Sequence, residues 1–124
     1  MSNIVLNKPQ IKEDTPPEAW VNETIERAIN DVCDVCNISR NLVMSRSRQE
    51  DVALARFFLY TILRNSGFTW SFIGGVTGRD HGAAYMGAKR LEGRLMCGEK
   101  ILVMIRENLE QRGWSFEARF FYDF

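Results

Sequence analysis

The segment Gly78-Arg79-Asp80-His81-Gly82-Ala83-Ala84 decides how the middle of this chain folds. A glycine, which tolerates a left-handed backbone, precedes an Asp that can accept hydrogen bonds from the free N–H groups of a helix start. Downstream, apolar residues recur every three or four positions, as on a helix with one buried face: Ala84, Ala88, Leu91 and Leu95. The pattern predicts a turn at residues 78–79, a cap at Asp80 and a helix from His81 onward.

A shorter helix is predicted immediately before this turn. Thr69 is suited to cap it, and it extends from Trp70 to about Val76. Its expected buried side chains are Phe72, Ile73 and Val76. A short helix, a tight glycine-bearing turn and a second helix form a helix-turn-helix, whose second helix can enter the DNA major groove.

Four further helices are predicted from apolar residues at helical spacing. They cover residues 18–36, a short turn after the Ser39 cap at 40–44, residues 49–63, and residues 101–112, where the apolar positions are Ile101, Leu102, Ile105 and Leu109. The predicted fold is therefore an all-α bundle over residues 18–112. Prolines prevent a helix before residue 17, so residues 1–17 are expected to form an arm, and residues 113–124 alternate like a strand. The two ends could pair as a short β extension, or the tail Trp114–Phe124 could bind a second copy or another protein.

The charge is neutral overall but unevenly distributed. The chain has 16 basic and 16 acidic side chains, yet residues 40–94 hold nine basic and four acidic ones. Several of the basic residues lie in the segment Ser45-Arg46-Ser47-Arg48-Gln49, here called the basic loop. The middle of the chain is thus expected to carry a positive face, as nucleic-acid-binding domains do.

The remaining chemistry-bearing residues favour a protein without catalysis, cofactor or metal. Cys33 and Cys36 have the spacing of a zinc pair, but at helical spacing beside apolar residues they are expected to pack into the core. Asp80 and His81 lack the nucleophile and the orienting group that a catalytic set requires. An odd cysteine count and the absence of a long apolar run lead us to expect a cytoplasmic protein without membrane contact.

Four blocks, in order and at near-constant spacing, carry a resemblance to a known family. They are Arg48-Gln49, the helix segment Ala53-Leu54-Ala55-Arg56, the run Trp70-Ser71-Phe72-Ile73-Gly74, and Gly78-Arg79-Asp80-His81 followed by Lys89-Arg90-Leu91-Glu92. Together they resemble the C-terminal DNA-binding domain (domain IV) of the bacterial chromosomal replication initiator DnaA. The resemblance covers about residues 21–95 and implies a Trp-repressor-like helix-turn-helix bundle that binds double-stranded DNA.

The resemblance also implies which residues contact DNA. In that family the Asp and His at the helix start read base edges, together with the two residues after them, which here are Gly82 and Ala83. Arginines of the family's basic loop reach the minor groove or phosphates. Carried over, these roles make Asp80, His81, Gly82 and Ala83 candidates for the major groove. The candidates for the minor groove or backbone are Arg46, Arg48, Gln49, Arg56, Arg79 and Lys89.

Two departures from the family pattern leave a second function open. Gly82 and Ala83 replace a threonine pair, and the basic loop is shorter. There is also no phosphate-binding loop of an ATPase, so the chain is expected to act as a stand-alone DNA-binding protein linked to replication or its regulation, such as a phage or mobile-element protein. The alternative is a protein-interaction module that keeps the helix-turn-helix scaffold without reading DNA.

Overall fold

A computed structural model describes residues 17–116, and this part of the chain forms six helices and no strand. The helices are α1 (Pro17–Cys36), α2 (Arg40–Val43), α3 (Glu50–Asn65), α4 (Trp70–Thr77), α5 (His81–Met96) and α6 (Lys100–Gln111). The predicted all-α class is confirmed. The predicted β extension involves residues 1–16 and 117–124, which lie outside the described residues, and residues 114–116 belong to neither a helix nor a strand.

Helix α3 is the central element, because it contacts α1, α2, α4 and α5. Its fully buried side chains include Phe58, Leu59, Ile62 and Leu63. The other helices each direct large apolar residues onto it or its neighbours, among them Ile29 of α1, Ile73 of α4, Leu91 of α5 and Leu109 of α6. This shared core fixes α5 against α3, and the basic loop enters α3 directly beside them.

The helix starts follow the predicted caps. The Ser39, Thr69 and Asp80 side chains each accept a hydrogen bond from the backbone N–H three residues later. These bonds satisfy donors that have no partner within the helix. Helix α6 ends as predicted near Gly113, which has a φ of +99°.

Two predicted core residues are exposed instead. Phe72 is 40% exposed and stacks on Phe68 with ring centroids 5.0 Å apart, and Ile101 is 71% exposed. Each comes directly before a buried residue in the sequence: Phe72 before Ile73, and Ile101 before Leu102. Consecutive residues point about 100° apart on a helix, so a single narrow buried face cannot hold both members of either pair.

Candidate nucleic-acid interface

Helices α4 and α5 are joined by a three-residue turn, residues 78–80. Gly78 has a φ of +71°, and its N–H donates to the Gly75 carbonyl while the Arg79 N–H donates to the Gly74 carbonyl at 2.7 Å. This pair of bonds is the Schellman arrangement, which ends a helix at a left-handed glycine. Asp80 then begins α5 by accepting a hydrogen bond from the Ala83 N–H at 2.7 Å.

Gly74 permits the close approach of this turn to α4. A Cβ added at Gly74 would lie 2.5 Å from the carbonyl oxygen of Arg79 and 2.9 Å from the carbonyl carbon of Asp80. These neighbours are backbone atoms of a hydrogen-bonded turn, so they cannot move aside easily. Gly74 therefore sets the position from which α5 starts.

The start of α5 is open to solvent. His81 and Ala83 are exposed and Gly82 is partly exposed. Along the same helix the Tyr85 ring lies against Trp70, edge to face, with centroids 5.5 Å apart. The first turn of α5 is thus a surface with little bulk, bounded on one side by an aromatic pair.

Two arginines hold the basic loop against the turn and α3. Arg79 donates from Nη2 to the Ser45 carbonyl at 2.7 Å. Arg56, which is only 5% exposed, donates from Nε to the Val43 carbonyl at 2.8 Å and from Nη2 to the Ser47 carbonyl at 2.9 Å. Both side chains therefore position the loop, and Arg56 lies behind the surface that a large partner could reach.

The basic loop, α3 and α5 enclose a cleft of about 570 Å³. No acidic residue of the described chain lines it. Its rim and walls carry five guanidinium groups, and we call it the arginine cleft; the five residues are Arg46, Arg48, Arg56, Arg79 and Arg90.

The five cleft arginines differ from four other arginines in having no carboxylate partner within residues 17–116. The paired arginines bind acidic side chains elsewhere on the surface; they are Arg27, Arg40, Arg94 and Arg112. Their positive charge is neutralised locally, whereas the charge of the cleft is not. A neutral chain thus presents a concentrated positive surface at one place.

The cleft also has an apolar wall, formed by Phe57 of α3 and Met86 of α5. Gly87 makes this wall possible, because a Cβ there would lie 2.6 Å from the Phe57 ring and 3.0 Å from the Tyr60 ring. Without a side chain at this position, the two helices bring their rings and backbone into direct contact. Met86 is 49% exposed, so part of the wall remains accessible.

The electrostatics of the cleft reflect this crowding of positive charge. Burial, and then the nearby charge of Arg79, lower the pKa of Arg56. Burial raises the pKa of Tyr60, although the charges of Arg79 and Arg56 and a hydrogen bond to Thr77 act in the opposite direction. Guanidinium groups this close together repel each other, so an anion in the cleft would relieve the repulsion.

The structure brings together part of the residue set predicted from the sequence. The arginine cleft gathers Arg46, Arg48, Arg56, Arg79 and Ala83. His81 and Gly82 line a separate, smaller cavity with Trp70 and Tyr85. Gln49 is exposed at the start of α3 without a side-chain capping bond, and Lys89 is 3.6 Å from Glu92.

Seven residues that line the cleft were not among the site residues predicted from the sequence, and Phe57, Met86 and Arg90 are three of them. The signal for two of them was present, because Ala83, Met86 and Arg90 are three and four residues apart and therefore share one side of α5. Phe57 could not be found in this way, since its place in the cleft depends on how α3 and α5 pack.

Cys33 and Cys36 lie on α1 and pack against the hydrophobic core. Within residues 17–116 no group of three or more His, Cys, Asp or Glu side chains is arranged to hold a metal ion. None of the helices in this range is both long and apolar enough to span a bilayer.

Comparisons with protein-family models, curated proteins and solved structures give no match to this chain.

Proposed function

We propose that this chain is a stand-alone double-stranded DNA-binding protein that uses α4, the turn and α5 as a helix-turn-helix. The observation that carries the proposal is the arginine cleft, whose uncompensated guanidinium groups lie directly beside the open start of α5. Phosphate contacts supply most of the affinity of such proteins, while side chains at a helix start read the base edges. The resemblance to the replication initiator's DNA-binding domain supports the same assignment, as well as a role in replication or its regulation.

Different residues carry different parts of the proposed contact. Arg46 and Arg48 are exposed on the basic loop and are suited to phosphate or the minor groove. His81 and Ala83 are the exposed residues at the start of α5, and they would face base edges. One carboxylate oxygen of Asp80 accepts the capping hydrogen bond at the start of α5. The other oxygen would accept a hydrogen bond from a cytosine amino group.

The experiment is fluorescence anisotropy of a labelled random-sequence duplex at about 50 and about 200 mM salt. We expect binding that weakens steeply with salt, and a log–log slope that falls by about 0.9 for each phosphate contact removed in Arg46→Ala or Arg48→Ala. These two variants are preferable to Arg79→Ala, because Arg79 also holds the basic loop through Ser45. Lys100→Ala is the matched control, since Lys100 is exposed on α6 and lines no part of the cleft.

A protein-interaction module is the second candidate, and a separate observation favours it. Large apolar side chains are exposed at the end of α5 and on the first turns of α6: Met96 at 80%, Ile101 at 71% and Met104 at 61%. Exposed apolar surface of this kind is typical of protein contacts. Absence of duplex binding at the lower salt concentration would contradict the DNA proposal and favour this one.

A further inference from the structure

We propose that the arginine cleft is also a binding site for a small phosphorylated ligand with an aromatic ring, of the nucleoside diphosphate class. This site would exist whether or not the chain binds DNA, because it is formed by the described residues alone. Its volume of about 570 Å³ is within the usual range of small-ligand pockets, roughly 300–1,000 Å³.

The charges of the cleft favour a compact polyanion. Arg46, Arg48 and Arg90 are exposed, and none of them has a carboxylate or hydrogen-bond partner within residues 17–116. Their donors are therefore free to turn toward a ligand. Guanidinium groups bind phosphate oxygens through paired hydrogen bonds, and these bonds are stronger than those between neutral groups.

The two inner arginines, Arg56 and Arg79, would form the preorganised part of the binding site. Arg56 and Arg79 are anchored to the Val43, Ser45 and Ser47 carbonyls, so their positions are set before any ligand arrives. Groups that are already ordered lose little conformational entropy on binding. The exposed outer arginines and the anchored inner ones would thus hold a diphosphate from two sides.

The apolar wall explains why we infer an aromatic ring rather than a bare phosphate. Phe57 and Met86 line the same cleft as the guanidinium groups, and Ala53 and Ala83 add small apolar surfaces. A nucleobase can stack on an aromatic ring or on a guanidinium plane, and such stacking strengthens binding whatever the base. Inorganic phosphates would leave this wall in water.

Isothermal titration calorimetry with three probes tests the proposal: ADP, pyrophosphate and adenosine, each at about 50 mM ionic strength, where screening is weak. We expect ADP to bind saturably at one site per chain and at least about fivefold more tightly than pyrophosphate, because ADP has a base that contacts the apolar wall and pyrophosphate does not. Adenosine should bind most weakly, since it lacks the phosphates. Pyrophosphate binding as tight as that of ADP, or no saturable ADP binding, would overturn the proposal.

Two surface variants show whether ADP occupies this cleft. Arg46→Ala and Arg90→Ala should each weaken ADP binding roughly tenfold, the loss expected for a charged hydrogen bond. Neither side chain makes a hydrogen bond or an ion pair within residues 17–116, and both are exposed, so both variants should unfold near the temperature of the parent protein. Lys100→Ala removes the same charge elsewhere and should leave the affinity unchanged within about twofold. Equal weakening in all three variants would mean non-specific attraction and would overturn the site.

Because the ADP titration contains no DNA, its result does not depend on the proposed DNA function. Binding of ADP without duplex binding would retain the ligand site and reject the helix-turn-helix as a DNA reader. Duplex binding without ADP binding would do the reverse.

Discussion

At the scale of single residues, a buried arginine and an exposed arginine have different roles in this chain: the first stabilises the fold, and the second is available to bind a partner. Arg56 directs its guanidinium inward and meets two backbone carbonyls that would otherwise lack these partners. A buried guanidinium is tolerated when its donors are satisfied in this way. Arg48, eight residues earlier, stays exposed and keeps its donors for a partner. Composition alone cannot separate the two, because the difference arises from how the basic loop folds over α3.

Cys36 gives a pH-dependent test of burial at one residue. Burial, and then the neighbouring Cys33, raise the pKa of the Cys36 thiol to about 12. The unfolded chain therefore loses this proton first as the pH rises, and the free energy of unfolding falls from the ordinary thiol pKa upward until the folded pKa is reached. Below the ordinary pKa both states hold the proton and the contribution is complete.

We expect Cys36→Ala to lose less stability than the parent protein when the pH is raised from about 8 to about 10.5, by about 1–2 kcal/mol. Urea denaturation at both pH values measures the difference. Cys97→Ala is the control, because it removes a thiol that is exposed on the surface rather than packed against the core. A parallel fall in the parent and in Cys36→Ala would show that Cys36 is accessible to hydroxide in the folded state.

At the scale of helices, two glycines of α4 have opposite environments. Gly74 lies against the backbone of the turn, whereas a Cβ at Gly75 would meet nothing within 4 Å. Gly74→Ala should therefore destabilise the protein by about 1–3 kcal/mol through overpacking. Gly75→Ala should stabilise it by up to about 1 kcal/mol, because alanine favours the helix. Thermal denaturation of the two variants provides the comparison, and stabilisation by both would contradict the close approach of α4 and the turn.

The helix boundaries were predictable from sequence because their signals are local. Ser39, Thr69 and Asp80 accept capping bonds from N–H groups only three residues away, so a short window of sequence contains both partners. The role of Gly87 was not predictable in this way. It depends on the rings of Phe57 and Tyr60, which come from a different helix and approach only after α3 and α5 have packed.

The predicted site and the observed cleft differ because only part of the cleft is formed by continuous segments of the sequence. The basic loop and the start of α5 were identified from the sequence, since each is a continuous segment with a distinct composition. The cleft between them is a product of tertiary structure, because Arg79 reaches across 34 positions to bond Ser45. Residues that contribute to the cleft through packing, Phe57 above all, therefore carried no signal in their own neighbourhood.

At the scale of the whole molecule, the arginine cleft differs in charge pairing from the surface where the last described residues contact α1. Arg112 binds Asp31 and Asp34 of α1 at 3.1 and 2.6 Å, while Trp114 donates from its indole N–H to Asp31 at 2.9 Å. Arg27 lies over the Trp114 ring, 4.6 Å from its centroid. The surface joining α1 to the end of α6 is thus neutralised by its own carboxylates, whereas no carboxylate of residues 17–116 pairs with the arginines of the cleft between α3 and α5.

Trp114 connects this surface to the hydrophobic core. It is 7% exposed within the core cluster, and Phe116 follows it onto Phe58 with ring centroids 5.9 Å apart. Trp114→Ala should lower the free energy of unfolding by about 3–5 kcal/mol, the usual cost of removing a buried aromatic side chain. Ser115→Ala should change it by less than about 0.5 kcal/mol, since Ser115 is exposed and, among the described residues, only its backbone carbonyl is bonded, by Asn65. Urea denaturation measures both, and a loss below about 1 kcal/mol in Trp114→Ala would mean that α1 and α6 hold together without the indole.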